Sequence, residues 1–203
     1  FIKIIGSVLC ITLLMTACSK KTEQKTAVET RTIVDQVGHT VVLPKEVNKV
    51  VIASAWPLVS AYCLMFGTDK HVGLDPAITR AAENSMLIKV APDIVNIESG
   101  FSKNGSLNAE ELLKLKPDVV LYATGVMEDY DIATQAGIPA VGFSLSVKDF
   151  NAVETIFTWM DLLAEVMGTS YDTSEYIEYA DKMQKMIAER LSGLREEDKP
   201  AAM

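Results

Sequence analysis

Between residues 49 and 143 the chain changes its hydrophobic pattern again and again, and this limits its fold more than any other feature. Short apolar runs with no polar alternation occur at Lys49-Val50-Val51-Ile52-Ala53-Ser54, His71-Val72-Gly73-Leu74, Ile94-Val95-Asn96-Ile97, Asp118-Val119-Val120-Leu121-Tyr122 and Ala140-Val141-Gly142-Phe143. Runs of this kind suit strands buried on both faces. Between them lie stretches with helical punctuation. One runs from Pro57, suited to a first helical position, to a stop at Gly67. Short helices are expected over Pro76 to Ala82 and Ser85 to Val90. Asn108 opens another, with Glu111 three residues on as in a capping box, and it ends before Pro117. A further helix is expected from near Glu128 to Ala136, stopped by Gly137. Strands alternating with helices at this spacing predict an α/β fold, a parallel sheet with helices on both faces.

The flanks differ from this middle. Thr32-Ile33-Val34-Asp35 and Thr40-Val41-Val42-Leu43 flank Val37-Gly38-His39 and predict a β-hairpin closed by Pro44. After Phe143 the strands cease. Ser146, with Asp149 at the third position, is expected to cap a helix carrying Val153, Ile156, Phe157, Met160, Leu163, Ala164 and Met167 at helical spacing, ended by Gly168. Asp172, with Glu175, is expected to cap a long helix through Tyr176, Ala180, Met183, Ile187 and Leu191, ended by Gly193. About 20 residues at 1.5 Å each would make it roughly 30 Å long.

Residues 1–17 carry one charge, Lys3, followed by an apolar core too short for a spanning helix, which needs about 20 residues. The layout is that of a secretory signal. It ends Leu14-Met15-Thr16-Ala17-Cys18, which resembles the bacterial lipobox, although Met15 stands where leucine is preferred. That resemblance implies a diacylglyceryl group on Cys18 and an extracytoplasmic protein anchored to the cell membrane, facing a periplasm or the outside. Acylation at two points would give the two signals that stable anchoring takes. Residues 18–31 are then a flexible, polar tether with no apolar face at its start. With Cys10 in the signal and Cys18 acylated, Cys63 remains alone in an apolar helical run, a buried thiol with no disulfide partner. The net charge of −8 argues against nucleic acid as a partner. The sequence lacks a glycine-rich dinucleotide turn, a Walker loop and a Gly-x-Ser-x-Gly elbow, so it reads as a binding protein and not an enzyme. His39 and His71 have no partner at ligand spacing, so no metal site is expected and both read as surface or edge residues.

Several segments in fixed order carry a wider resemblance. They are Val34-Asp35-Gln36-Val37-Gly38-His39-Thr40-Val41-Val42-Leu43-Pro44, Val50-Val51-Ile52, Val72-Gly73-Leu74, Ser106-Leu107-Asn108-Ala109-Glu110-Glu111-Leu112-Leu113-Lys114-Leu115-Lys116-Pro117-Asp118-Val119-Val120 and Ala136-Gly137-Ile138-Pro139-Ala140-Val141. Together they resemble the iron-siderophore, haem and cobalamin class of binding proteins that serve ABC importers, in which a rigid helix joins two lobes. His39 departs from the arginine usual there. The resemblance implies a Rossmann-like N-terminal lobe over 32–168, an interlobe helix over 169–193, and the start of a truncated C-terminal lobe over 194–203. The chain is then an N-terminal fragment lacking the second lobe. It implies capture of a ferric siderophore or similar iron complex, with no other cofactor, and delivery to an ABC permease and its ATPase. Haem, cobalamin and molybdate remain open as ligands in the same role. It also implies that Glu110 docks on the permease, although a glutamate there equally favours a helix N-terminus. A surface lipoprotein for sensing or adhesion is the alternative from another class, and an adjacent permease gene would discriminate.

Ligands of open parallel sheets bind beyond the carboxyl ends of the strands. The loops expected there place Trp56, Arg80, Phe101, Ser102, Tyr122 and Thr124 as ligand-binding residues. Aromatic rings offer stacking area, and an arginine fork meets carboxylate or catecholate oxygens. The same residues also fit plainer roles, with Trp56 and Tyr122 packed at the sheet edge and Arg80 solvated.

Overall fold

The computed structural model describes residues 29–195 and Asp198. The expected signal over 1–17, Cys18 and most of the tether lie outside those residues, as do residues 199–203.

The polypeptide begins with an antiparallel hairpin, β1 (Thr30–Val34) and β2 (Thr40–Pro44), paired from Thr30↔Pro44 to Val34↔Thr40. It continues through β3 (Val50–Ile52), α1 (Trp56–Phe66), β4 (His71–Leu74), α2 (Pro76–Glu83) and α3 (Leu87–Val90). A two-residue ladder follows, β5 (Ser102–Lys103) with β6 (Ser106–Leu107), then α4 (Ala109–Leu115), β7 (Val119–Ala123), α5 (Met127–Gln135) and β8 (Ala140–Phe143). Two helices close the chain, α6 (Ala152–Met167) and α7 (Ser174–Leu191). The central sheet has order β4-β3-β7-β8 with every pair parallel. The expected α/β architecture is thus present.

Strand parity builds two cores from one sheet. Val50, Ile52, Val119, Leu121, Val141 and Phe143 face a cluster with Leu58 and Tyr62 of α1 and Trp159 and Leu163 of α6. Val51, Ala53, Val120, Tyr122 and Ala140 face the opposite cluster with Leu112 of α4 and Ala133 of α5. Successive strand residues point to opposite faces, so a strand covered on both sides has to be apolar at every position. At Gly73 a Cβ would lie 2.8 Å from Leu115 Cδ1 and 2.9 Å from Val51 Cγ2, so the second core closes onto β4 only because that residue has no side chain.

The hairpin turn finishes one edge of the sheet. Asp35 accepts from the amides of Val37 (3.0 Å), His39 (2.7 Å) and Gly142 (3.1 Å), the last on edge strand β8. Gln36 adds its amide to the Gly142 carbonyl, and its Oε1 accepts from Ser144 N at 2.7 Å. These bonds occupy edge groups that would otherwise be open to another strand. Arg31 reaches the far end of α6, donating to the carbonyl of Glu165 at 2.6 Å and to that of Val166. A guanidinium suits the carbonyl end of a helix.

Helix ends follow their local chemistry, with four corrections to the expected elements. Residues 94–97 form no strand. A 3₁₀ helix spans Pro92–Asn96, with Ile94 buried and Val95 exposed. The buried positions Ala91 and Ile94 recur at a spacing of three, the period of that helix, and Pro92 starts it. Ser146 does not cap α6. Lys148, Asp149 and Phe150 take left-handed φ values of 56°, 52° and 63°, which break the chain before the helix. Asn151 is the cap instead, its Oδ1 accepting from the amides of Val153 (3.2 Å) and Glu154 (3.3 Å). The capping box at α4 is half made. Asn108 Oδ1 accepts from Glu111 N at 3.0 Å, but the Glu111 carboxylate pairs with Lys114 Nζ at 2.6 Å, and the Asn108 amide goes to the Phe101 carbonyl. At α7 the N-cap is Thr173, with Asp172 accepting from Ser174 N at 3.0 Å.

Cys63 is buried in α1, and burial pushes its thiol up to about 11. No residue of α7 is buried, and its Tyr176, Ile177, Tyr179, Ile187 and Leu191 are exposed. Among the described residues no helix is long and apolar enough to cross a membrane.

Candidate functional site

The carboxyl ends of the four parallel strands lead into Ala53-Ser54-Ala55 after β3, Asp75 after β4, Thr124-Gly125 after β7 and Ser144 after β8. Trp56 opens α1 directly after this edge and is half-buried against the first core. Its ring lines a surface groove with Ser60, Leu64, Met86 and Val90. Arg80 is exposed on α2, and its guanidinium has no side-chain partner among the described residues. Thr124 is half-buried, its amide held by the Phe143 carbonyl at 3.0 Å.

The other expected wall residues are interior, and this corrects the sequence reading. Tyr122 is 0 % exposed and Phe101 1 % exposed, both in the second core. Tyr122 shares a face with Val120, which points it under α4 and α5 and away from the crevice. Ser102 is buried as well, its hydroxyl donating to Asp75 Oδ2 at 2.6 Å.

That last bond leads to polar groups the sequence reading did not single out. Asp75 caps α2, its Oδ1 accepting from Ala77 N at 2.7 Å. Asp129, in the first turn of α5, is 2 % exposed, and its Oδ2 has no hydrogen-bond partner. Burial raises the Asp129 carboxyl above the usual carboxylate range, a hydrogen bond with Ser54 opposes this, and the charges of Asp75 and Glu128 add to it. Ser54 also bridges strands, its Oγ accepting from Ala123 N at 3.0 Å. The strand ends therefore converge on two buried carboxyls and two serine hydroxyls.

The histidines divide. His39 stacks on Tyr130 at 4.4 Å between centroids, with Nδ1 3.2 Å from Asp35 Oδ2. His71 lies on edge strand β4 but is buried, with neither ring nitrogen partnered, and stands edge-on to Tyr62 at 5.3 Å. Burial pushes its pKa down to about 4. Among the described residues no group of three or more histidine, cysteine or acidic side chains is placed to hold a metal ion. Glu110 is exposed on the first turn of α4, beside the Glu111–Lys114 pair and outside it.

A profile of the Periplasmic binding protein family matches residues 68–203. The chain is 27 % identical over 198 residues to the molybdate-binding protein MolA of Haemophilus influenzae, covering 88 % of this chain and 54 % of that protein. It is similar to the crystal structure of a periplasmic solute binding protein from Veillonella parvula, with a TM-score of 0.68 and 26 % identity over 83 % of this chain and 50 % of the other. Against Helicobacter pylori CeuE in a nickel–histidine complex the TM-score is 0.58, with 25 % identity over 82 % of this chain and 51 % of that one. The chain thus spans about half the length of these relatives. The parallel sheet and the match over two-thirds of the sequence agree, and the chain belongs to the periplasmic binding protein family.

Proposed function

We propose that this protein is an extracytoplasmic lipoprotein that captures a ferric siderophore or similar iron complex and passes it to an ABC permease and its ATPase. The observation that supports the reading is the parallel sheet, whose carboxyl ends lead into half-buried Trp56 at the start of α1 and into α2, which carries exposed Arg80. An indole face stacks on a planar chelate, and an arginine fork binds anionic oxygens at its rim. Thr124, after the neighbouring strand β7, supplies a hydroxyl. Residues 1–17 serve as the export signal, Cys18 as the lipid attachment point, and 18–31 as the tether. Residues 32–168 form the ligand-binding lobe, 169–193 the helix that leads to a second lobe, and 194–203 the start of that lobe. Glu110 is the permease contact.

A second reading, an oxyanion binder in the same importer role, is favoured by the likeness to the molybdate-binding protein.

The test is a tryptophan-fluorescence titration of the mature gene product with ferric siderophores, haem, cobalamin and molybdate. Trp159 is buried in the first core and Trp56 is half-buried, so of these two Trp56 is the one open to an added ligand. The expected result is saturable quenching by a ferric siderophore, lost in Trp56→Phe while calorimetry still detects binding. Quenching by molybdate alone would transfer the assignment to the second reading. Silence toward the whole panel would refute both and favour a sensing or adhesion role.

A further inference from the structure

We propose that Asp129, with Ser54 and Asp75 beside it, is a subsite for a primary ammonium group carried on an arm of the captured ligand. This rests on the solute-binding reading above. The starting point is an imbalance among the buried carboxylates. Asp35 accepts from three amides and faces the His39 ring, and Asp75 accepts from an amide and a hydroxyl. Asp129 is enclosed to the same degree, yet its Oδ2 has no donor. A buried acceptor without a donor is costly, and such groups in native proteins call for a specific explanation.

The surroundings define what would satisfy it. Asp75 and Glu128 are like charges close enough to raise the Asp129 carboxyl, and the neighbouring Ser54 hydroxyl opposes that rise. No lysine or arginine side chain pairs with either aspartate among the described residues. An oxyanion brought here would meet negative potential and acceptor oxygens. A cation bearing N–H groups would meet complementary charge and could donate to Asp129 Oδ2, an arrangement stronger than a neutral hydrogen bond. Enclosure restricts the size. The bulk of a chelate would stay outside, and only a compact group on a flexible arm would reach Asp129.

The experiment uses calorimetry on the mature gene product with a linear ferric trihydroxamate that ends in a free ammonium group, and with the same chelate acetylated at that amine. The free-ammonium form should bind about tenfold or more tightly, the discrimination expected of one charge-assisted hydrogen bond in a buried site. In Asp129→Asn, which keeps the shape and removes the charge, the two forms should bind alike, through weaker binding of the ammonium form only. Equal binding of both forms by the wild type overturns the subsite and leaves the solute-binding reading intact. So does a preference that survives in Asp129→Asn, since the ammonium group would then lie elsewhere. Failure of both chelates to bind overturns the subsite together with the iron-chelate reading. The wild-type comparison needs no substitution, so a variant that failed to fold would not remove the test.

Discussion

Replacing Asp35 by alanine tests how the hairpin is fastened to the sheet. The carboxylate divides its work: Oδ1 accepts from the amides of Val37 and His39 inside the turn, and Oδ2 accepts from the buried Gly142 amide and faces His39 Nδ1. The turn amides are near solvent and can bond to water, so each lost bond costs about 0.5–1.5 kcal/mol. The Gly142 amide lies within the lobe and would keep no partner, which costs about 1–3 kcal/mol. Removing a buried charge returns part of this. The expected net loss is about 2–4 kcal/mol. With a urea m-value of about 2 kcal/mol/M, the unfolding midpoint should fall by roughly 1–2 M at unchanged slope. Asp35→Asn is the internal control. It keeps Oδ1 for the turn but sets an amide NH2 against the Gly142 N–H, so it should lose only the Gly142 share, about 1–3 kcal/mol. A shift of less than about 0.3 M with alanine, or an asparagine cost equal to that of alanine, would refute this role of Asp35.

Two further outcomes follow from single side chains. Burial holds the His71 pKa near 4 against 6.5 for the free side chain, so between those values the unfolded state binds more protons than the folded one. Stability should therefore be flat above about pH 6.5 and fall by about 3 kcal/mol in total as the pH drops through 4, and His71→Phe should remove most of that slope in denaturation series at several pH values. Glu110→Arg should abolish ligand uptake by cells while leaving ligand affinity unchanged in solution. Loss of affinity together with uptake would refute the docking role.

How far the sequence reading reached depends on how local each signal was. The sheet was legible because β3, β7 and β8 are buried at every position, and that condition writes itself as an unbroken apolar run. The stops at Gly67 and Gly168 were legible because left-handed φ values of 69° and 68° end those helices. The segment 94–97 was misread because three apolar residues in four satisfy a strand template, while the deciding fact, burial at Ala91 and Ile94 only, depends on where α2 and α3 lie. Ser146 and Asp149 matched a cap pattern, yet Asn151 had an equal claim, and nothing local foretold three consecutive left-handed residues.

The site divides along the same line, and one of its errors was avoidable. Tyr122 was assigned to the crevice because it ends a strand. Parity would have corrected this, since Val120 and Tyr122 necessarily share a face, and a face holding Val51 and Leu112 is a core. Asp75 and Asp129 were harder. Each has a sufficient local explanation, the first as a cap before Pro76 and the second as an acid in a first helical turn, where the helix dipole favours it. A residue with an adequate local role attracts no further question in a linear reading. Only the fold brings the first turn of α5 over the end of β3, sets Ser54 against Asp129, and leaves one carboxylate oxygen enclosed without a donor. The unsatisfied atom is therefore a tertiary observation, which neither aromatic content nor the net charge of −8 can supply.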